Sequence, residues 1–352
     1  MIEHPTRRVA GTWHWLAGFA VGIALTVCAA PLAAQTPVAA AAGSENALEY
    51  PQWETVAPGE NARYNQRLNL LQRGKLVYEK YCIGCHGEYG DGNGPASVRL
   101  LTKPRDFTSG IFKFRSTDSS SLPLETDLYR TITRGLARVS MPAFPLMPET
   151  EKVAVIEYVK GFYPLWEQRK NSRQVVPIPR APADLGDAWR VARGQVAYLA
   201  AQCWKCHGTD GRGTGATQVD YTDAWGHQQR PFDFTRGEFK GGSRPEEIYR
   251  TFHTGLRSIM PSFGGDTLGR ISRQAFAFSV AEFDPSLASG LQAALAEYPA
   301  DSLAVSELSA GQLTAAAEAN SWDLVAYILS LRTSTSTAGA VLGVGPPTTS
   351  SP

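Results

Sequence analysis

The sequence contains few cysteines and few methionines, and it carries almost no net charge. The cysteine count and the charge each exclude a class of protein. Of 352 residues only five are cysteine, and four of these lie in two short motifs, so none is left for a disulfide between distant parts of the fold. The formal net charge of +1 gives no indication of a nucleic-acid partner or of another strongly charged one. Long runs of alternating polar and apolar residues are also missing, which favours an all-α fold.

The fifth cysteine, Cys28, lies in an apolar N-terminal stretch that is typical of an export signal. A short basic region with Arg7 and Arg8 precedes the apolar core WLAGFAVGIALTVCAA, and PLAAQ provides a cleavage site after Ala34. The alternative is an uncleaved membrane anchor, for which the run is long enough. We therefore expect a periplasmic protein with residues 1–34 as signal peptide, membrane-associated if the segment is not cleaved.

The other four cysteines occur in two motifs that each end in histidine. These are YCIGCH and QCWKCH, which contain Cys82, Cys85, His86, Cys203, Cys206 and His207. C-x-x-C-H is the attachment sequence for c-type haem, because two thiols on one helical turn can each add to a vinyl group of one porphyrin while the histidine coordinates iron. A thioredoxin-like redox pair needs no histidine, and directly adjacent ligands fit a zinc site poorly. The motifs predict two covalently attached haem c groups.

Both motifs are part of a longer duplicated pattern. RGKLVYEKYC (73–82) corresponds to RGQVAYLAAQC (193–203), KPRDFTSGIFKF (103–114) to RPFDFTRGEFK (230–240), and DLYRTITRGLARVSMPAF (127–144) to EIYRTFHTGLRSIMPSF (247–263). The copies are offset by about 120 residues, whereas solenoid repeats have periods of about 20–50 residues. The pattern predicts two tandem domains.

Composition sets the expected boundaries of these domains. We expect an N-terminal extension over 35–65, domain 1 over 66–163, a Pro-rich linker over 164–186, domain 2 over 187–332 and a disordered tail over 333–352. Domain 2 carries an extra segment at about 264–318 in which Leu287, Leu291, Leu295 and Tyr298 share a helical face. The insertion is therefore expected to be helical.

Methionine is rare after the signal segment, where only Met141, Met147 and Met260 occur. Met141 and Met260 occupy matched SMPAF and IMPSF sequences at similar distances after the two motif histidines. Methionine ordinarily fills a core, but this rarity and repetition favour a role as the second axial iron ligand, which closes the iron to small molecules. Met147 has no counterpart and is expected to be packing.

Each copy resembles a class I cytochrome c domain: an N-terminal helix with Gly74 and Tyr78 or their counterparts Gly194 and Tyr198, then CxxCH, a loop carrying Met-Pro, and a C-terminal helix with an aromatic residue. The resemblance covers roughly 66–163 and 187–332. It implies that the first and last helices of each domain cross at the glycine. It also implies two ligand pairs, His86 with Met141 and His207 with Met260.

Other polar residues have less certain roles in the sequence. His227 and His253 are alternative candidates for iron ligands, but they have no histidine counterpart in the first copy. Met260 fits better, so both histidines are expected on the surface or in loops. Asp106 and Asp233, in the repeated DFT triplet, are expected to cap turns rather than to act as acids. Three arginines form a separate group, namely Arg105, Arg130 and Arg250. They either bind haem propionates or lie on solvated helix faces.

These observations favour an electron carrier over an enzyme. We expect single electrons to pass between protein redox partners, with the chain acting as a shuttle or as the cytochrome subunit of a larger oxidoreductase. The alternative is a dihaem enzyme such as a peroxidase, which needs an open sixth position on one iron, whereas both haems have a methionine candidate. A thiosulfate-oxidising enzyme with a cysteine ligand would need one more cysteine outside the signal segment. The insertion could still cover an active site at the second haem.

Overall fold

A computed structural model of the protein describes residues 60–215, 221–223, 226–257, 260–281 and 285–332, all within one compact unit. Regular structure in these residues is helical, with two isolated β-bridges and no sheet, so the all-α prediction is confirmed. None of the helices formed by these residues is long and apolar enough to cross a bilayer. The expected signal peptide, Cys28, most of the N-terminal extension and the tail lie outside the described residues.

The helices follow the duplication. The first half contains α1 (Glu60–Tyr81), α2 (Ile83–His86), α3 (Glu125–Arg134), α4 (Glu149–Lys160) and α5 (Trp166–Arg169), with 3-10 turns at Ser97–Arg99 and Lys170–Ser172. The second half contains α6 (Ala188–Ala200), α7 (Trp204–His207), α8 (Pro245–Thr254), α9 (Arg273–Ala281), α10 (Gln292–Ala296), α11 (Ser302–Ser306) and α12 (Ala310–Ser330), with 3-10 turns at Phe234–Arg236, Thr267–Arg270 and Pro285–Leu291.

The first and last helices of each half cross at a glycine. Gly74 of α1 lies against the backbone of Ala154 in α4, so that a Cβ added at this glycine would overlap the Ala154 carbonyl. Gly194 of α6 lies in the same way against the carbonyl of Asp323 in α12. Only a residue without a side chain permits this approach, and the crossing that the sequence predicts at both glycines is present.

One turn after each glycine, a buried tyrosine joins the crossing to the segment that follows. The Tyr78 hydroxyl donates to the Gly87 carbonyl at 2.7 Å, and the Tyr198 hydroxyl donates to the Gly208 carbonyl at 2.5 Å. Each tyrosine ring also packs on an aromatic ring of the closing helix, with centroids 5.4 and 5.2 Å apart. The helix pair therefore fixes the position of the chain just after each CxxCH motif.

The segment between the two halves packs against both of them. Its first part contacts the first half, and Ile178, Ala181 and Leu185 farther along pack against the core of the second half. Trp166 is 2% exposed and stands edge-on to Phe112, with ring centroids 5.8 Å apart. Farther along, Arg173 binds Glu125 at 2.8 Å, and Val175 forms a bridge to Thr117. The Pro-rich segment is thus anchored along its length by buried and charged contacts.

The extra segment of the second half contains the helices α9, α10 and α11, and Leu291 and Tyr298 on the expected apolar face are buried. It packs on the outside of α6 and behind the second CxxCH motif, where the Trp204 indole donates to the Ser279 hydroxyl at 2.8 Å. The Ser279 hydroxyl in turn donates to the Leu199 carbonyl at 2.6 Å. The segment therefore supports α6 and the motif.

The two halves meet along a seam of charged groups. The Arg115 side chain is fully buried, and its guanidinium donates to the Thr254 carbonyl at 2.7 Å. Arg134 at the end of α3 pairs with the buried Glu247 of α8 at 2.5 Å. In both contacts an arginine of the first half donates to an acceptor of α8 in the second half. The acceptors are a carbonyl at the C-terminus of α8 and the carboxylate of its capping box.

The helix crossing gives a direct test of this packing. Replacing Gly194 with Ala should lower the free energy of unfolding by about 1–3 kcal/mol or more, because the new methyl group must push two helix backbones apart. Gly311→Ala is a matched control in the same helix pair, since a Cβ there meets nothing within 4 Å. Its stability should be unchanged or slightly higher. Denaturant unfolding would measure both variants, and equal stability of the two would contradict the crossing.

Candidate haem-attachment sites

Each CxxCH motif forms a single helical turn directly after the first helix of its half. The Cys82 amide donates to the Tyr78 carbonyl at 2.8 Å, and the His86 amide donates to the Cys82 carbonyl at 2.9 Å. The second motif repeats this turn, with the His207 amide donating to the Cys203 carbonyl at 2.9 Å. All four motif cysteines are free thiols and partly buried.

Both motif histidines are held in the tautomer that a metal requires. The His86 Nδ1 atom lies 3.0 Å from the Arg105 carbonyl oxygen, and the His207 Nδ1 atom lies 3.1 Å from the Phe232 carbonyl oxygen. A carbonyl can only accept, so each Nδ1 must carry the proton, which leaves the Nε2 lone pair for a ligand. The sequence spacing alone gives no sign of these two carbonyls.

Phenylalanines of the repeated DFT triplet set the planes of the two imidazole rings. His86 stacks on Phe107 with ring centroids 4.4 Å apart, and His207 stacks on Phe234 at 4.3 Å. Burial among these rings lowers the pKa of both histidines by disfavouring the charged form. Neutral imidazole is the form that coordinates metal.

The first thiol of each motif is protonated. Burial raises the pKa of Cys82 and of Cys203 to about 12, because the thiolate would be poorly solvated. Redox-active CxxC pairs instead lower this pKa to form a thiolate. In the described residues, moreover, no three His, Cys, Asp or Glu side chains converge as a zinc site would require. The structure therefore disfavours both a thioredoxin-like redox pair and a zinc site at these motifs.

The two matched methionines lie on loops that are closed by a corresponding hydrogen bond, from a leucine amide to the methionine carbonyl. The Leu136 amide donates to the Met141 carbonyl at 3.1 Å, and the Leu256 amide donates to the Met260 carbonyl at 3.2 Å. Met147 instead packs in the small core beside α1 and α4. Met141 and Met260 therefore lie in corresponding loops, whereas Met147 lies in a hydrophobic core.

Both motifs and both methionine loops open on one cavity of about 830 Å³. Its lining includes residues from each half, among them the two CxxCH sets and the two methionines: Cys82, Cys85, His86, Met141, Cys203, Cys206, His207 and Met260. Its walls are largely aromatic and aliphatic, as cofactor pockets usually are. The two predicted sites are thus parts of one continuous space at the seam.

These residues fit the chemistry of c-type haem. Each half supplies two free thiols on one turn, an imidazole with Nε2 available and a thioether that lines the same cavity. No disulfide joins any pair of the four thiols. Apolar walls, and a carbonyl oxygen that accepts from Nδ1 of each histidine, are the surroundings that tune a haem iron.

Several other residues singled out in the sequence are placed by the structure. The Asp106 carboxylate accepts from the Thr108 amide at 2.8 Å, and that of Asp233 accepts from the Thr235 amide at 3.0 Å. Both aspartates cap turns, as expected. His227 is exposed, as expected, and it also lines the cavity.

His253 was predicted at the surface or in a loop, and this prediction is wrong. The side chain is 7% exposed within α8, with Nε2 2.9 Å from the Ser321 hydroxyl and its ring stacked on Tyr249. It does not line the cavity. The error arises because α8 packs under α12, a contact between segments distant in sequence.

The three arginines considered for the haem carboxylates divide into two groups. Arg105 lines the cavity, and burial lowers its pKa to about 10. Arg130 and Arg250 do not line it. Arg130 pairs with Asp127 at 2.5 Å, and Arg250 donates to the Gly241 carbonyl at 2.9 Å. Arg130 and Arg250 therefore bind groups of their own half.

Comparisons with known proteins agree with this geometry. A family model described as cytochrome c oxidase, cbb3-type, subunit III matches residues 69–159 and 190–277. Among solved structures, a chain of the Kuenenia stuttgartiensis reducing HAO-like protein complex Kustc0457/Kustc0458 is similar at 33% identity and a TM-score of 0.56. The similarity covers 74% of this chain and 96% of that one. No curated protein sequence matches.

The buried His253 predicts a pH dependence of stability. Burial lowers its pKa from 6.5 to about 4, so the unfolded chain binds a proton between these values and the folded chain does not. The free energy of unfolding should therefore fall as pH drops from about 6.5 to about 4, with a contribution of up to about 3 kcal/mol from this residue.

Denaturant unfolding of His253→Gln across this pH range measures the contribution, because glutamine cannot titrate. The difference in free energy between wild type and variant should shrink as the pH falls. His227→Gln controls for loss of a histidine at the surface. A difference that stays constant with pH would show that His253 is not the buried base described.

Proposed function

The chain belongs to the family of cytochrome c oxidase, cbb3-type, subunit III, with two tandem cytochrome c domains, and from this we propose that it is a dihaem c-type cytochrome that transfers single electrons. Haem c supplies an iron that cycles between ferric and ferrous states. The observation that carries the proposal is the pair of matched residue sets, two thiols, a histidine and a methionine, that open on the one cavity.

In this proposal each residue type has a distinct task. Cys82 and Cys85 attach one haem, and Cys203 and Cys206 attach the other. His86 and His207 hold Nε2 toward the iron through the carbonyl bonds described above. Met141 and Met260 provide thioether ligands, which raise haem potentials and close the irons to small molecules.

A carrier is favoured over an enzyme because a methionine of each half lines the cavity as a candidate sixth iron ligand, and six-coordinate iron is closed to substrates. The described parts of the insertion, residues 264–281 and 285–318, contribute no lining residue to the cavity. The insertion instead packs against α6 and the second motif. This argues against a second-haem active site covered by the insertion.

We further propose that the protein is exported to the periplasm and serves as an electron-transfer subunit or partner of a larger oxidoreductase. The N-terminal signal pattern and the attachment motifs support export. The partner proposal draws on the family, whose description names an oxidase subunit, and on the solved relative, which comes from a multi-protein complex.

Spectroscopy of the protein purified from an oxidising compartment tests this function. The mass should show two attached haems on a chain cut after Ala34. Optical and EPR spectra should show two low-spin irons that do not respond to carbon monoxide or peroxide. A high-spin fraction, or ready carbon monoxide binding by the wild type, would contradict the carrier and favour a dihaem enzyme.

Methionine variants test the ligand assignment. Met141→Ala and Met260→Ala should each open one iron, so that half of the haem binds carbon monoxide and one midpoint potential falls. Met147→Ala is the matched control, because this side chain packs beside α1 and α4. Carbon monoxide binding by the control alone, or by none of the three variants, would show that the methionines are assigned wrongly.

A further inference from the structure

The carbonyl groups at the C-terminus of α8 face the first half of the chain. The helix ends at Thr254, and Gly255 follows it. A helix C-terminus leaves its last carbonyls without partners inside the helix and carries partial negative charge, so a cation is favourable there. The fully buried Arg115 of the first half supplies this cation. Its guanidinium donates to the Thr254 carbonyl at 2.7 Å and to the Gly255 carbonyl at 3.4 Å.

Other hydrogen bonds of Arg115 tie its guanidinium to its own half. The Nε atom donates to the Asp118 carbonyl at 2.8 Å, and an Nη atom donates to the Phe112 carbonyl at 3.0 Å. Burial lowers the pKa of Arg115 to about 10, which still leaves the group charged at neutral pH. Arg115 is therefore a charged link between backbone oxygens of the two halves.

The loop that carries Met260 packs on the same end of α8. A Cβ added at Gly255 would lie only 2.8 Å from the carbonyl carbon of Pro261, the residue after Met260. The Leu256 amide, directly beyond the helix end, donates to the Met260 carbonyl at 3.2 Å. The backbone position of Met260 is therefore set by the end of the helix that Arg115 holds.

The same loop contains a strained residue, Arg257, whose φ is 45°. A residue other than glycine in the left-handed region costs free energy, and it persists only where surrounding contacts hold it. The Arg257 side chain also reaches the first half, where its guanidinium donates to the Ser120 carbonyl at 3.5 Å. The conformation of the loop therefore depends on contacts with the other half.

The duplication is broken at the position of this arginine. Alignment of the two DFT triplets places Arg115 of the first copy opposite Gly242 of the second. Glycine has no side chain, so the second half has no donor at the matching position for the loop of Met141. The contact therefore acts in one direction, from the first half to the methionine loop of the second.

We propose that Arg115 is a positioning residue for Met260, so that the first half of the chain holds the sixth ligand of the second iron in place. This inference rests on the proposed function, since it requires Met260 to be a ligand of an attached haem. Arg115 is not among the described residues that line the cavity. It acts through the backbone at the end of α8, and its removal should open the second iron while the first stays closed.

Arg115→Leu tests the proposal, because leucine keeps an apolar side chain but has no donor. The variant is purified, and mass spectrometry establishes that it carries two haems. Carbon monoxide binding should rise from none to about half of the haem, and the near-infrared band of methionine-ligated ferric haem should fall to about half. Added to Met260→Ala, the substitution should open no further haem. Added to Met141→Ala, it should open both irons.

Two further variants complete the experiment. Arg173→Leu is the matched control, because Arg173 also donates to backbone carbonyls, those of Lys170 and Pro123, which lie outside both methionine loops. It should bind no carbon monoxide. Arg115→Lys keeps the charge with fewer donors, and it carries the test if Arg115→Leu does not mature with two haems. Its second iron should bind added imidazole about fivefold more tightly than that of the wild type, the equivalent of one lost hydrogen bond.

Three outcomes would overturn the proposal while leaving the function intact. One is a two-haem Arg115→Leu protein that binds no carbon monoxide, or an Arg115→Lys protein with the imidazole affinity of the wild type. Another is an equal opening of both irons in Arg115→Leu. A third is the same opening in Arg173→Leu, which would show a general loss of packing. A wild type without methionine ligation at its irons would instead contradict the proposed function itself.

Discussion

The close contact of two helix backbones at a glycine is the constraint on which each half of this molecule depends. Gly74 and Gly194 let the first helix lie directly on the closing helix, and the tyrosine one turn later binds the carbonyl just after the CxxCH turn. The helix crossing therefore places two thiols and an imidazole on one side of the helix pair. The carbonyls of residues 105 and 232 complete the arrangement by fixing the proton of each imidazole on Nδ1.

Because the two halves are in contact, the two sites open on one cavity. Arg115, buried without exposure, donates to carbonyls at the end of α8, and the Arg134–Glu247 pair fastens the adjoining helix ends. Removing Arg134 would leave the buried Glu247 carboxylate without one of its cationic partners, at a cost in stability. For an electron carrier this arrangement is useful, because cofactors attached at the two motifs would share one cavity of low polarity.

The sequence predicts the features that are local or repeated. CxxCH places three groups on a single turn, and the matched SMPAF and IMPSF sequences identify two loops that prove to have the same hydrogen bonds. The seam could not be predicted in this way, because Arg115 meets Thr254 across 139 residues and no spacing rule links them. His253 was placed wrongly for the same reason.

The central claim is that both sites belong to one cavity, and the magnetic interaction between the two ferric irons tests it most directly. The EPR spectrum of the oxidised two-haem protein would be compared with the sum of spectra from two one-haem variants, Cys82→Ala with Cys85→Ala and Cys203→Ala with Cys206→Ala. We predict a spectrum broadened or split relative to that sum. A two-haem spectrum identical to the sum, with the relaxation of isolated irons, would contradict a shared cavity.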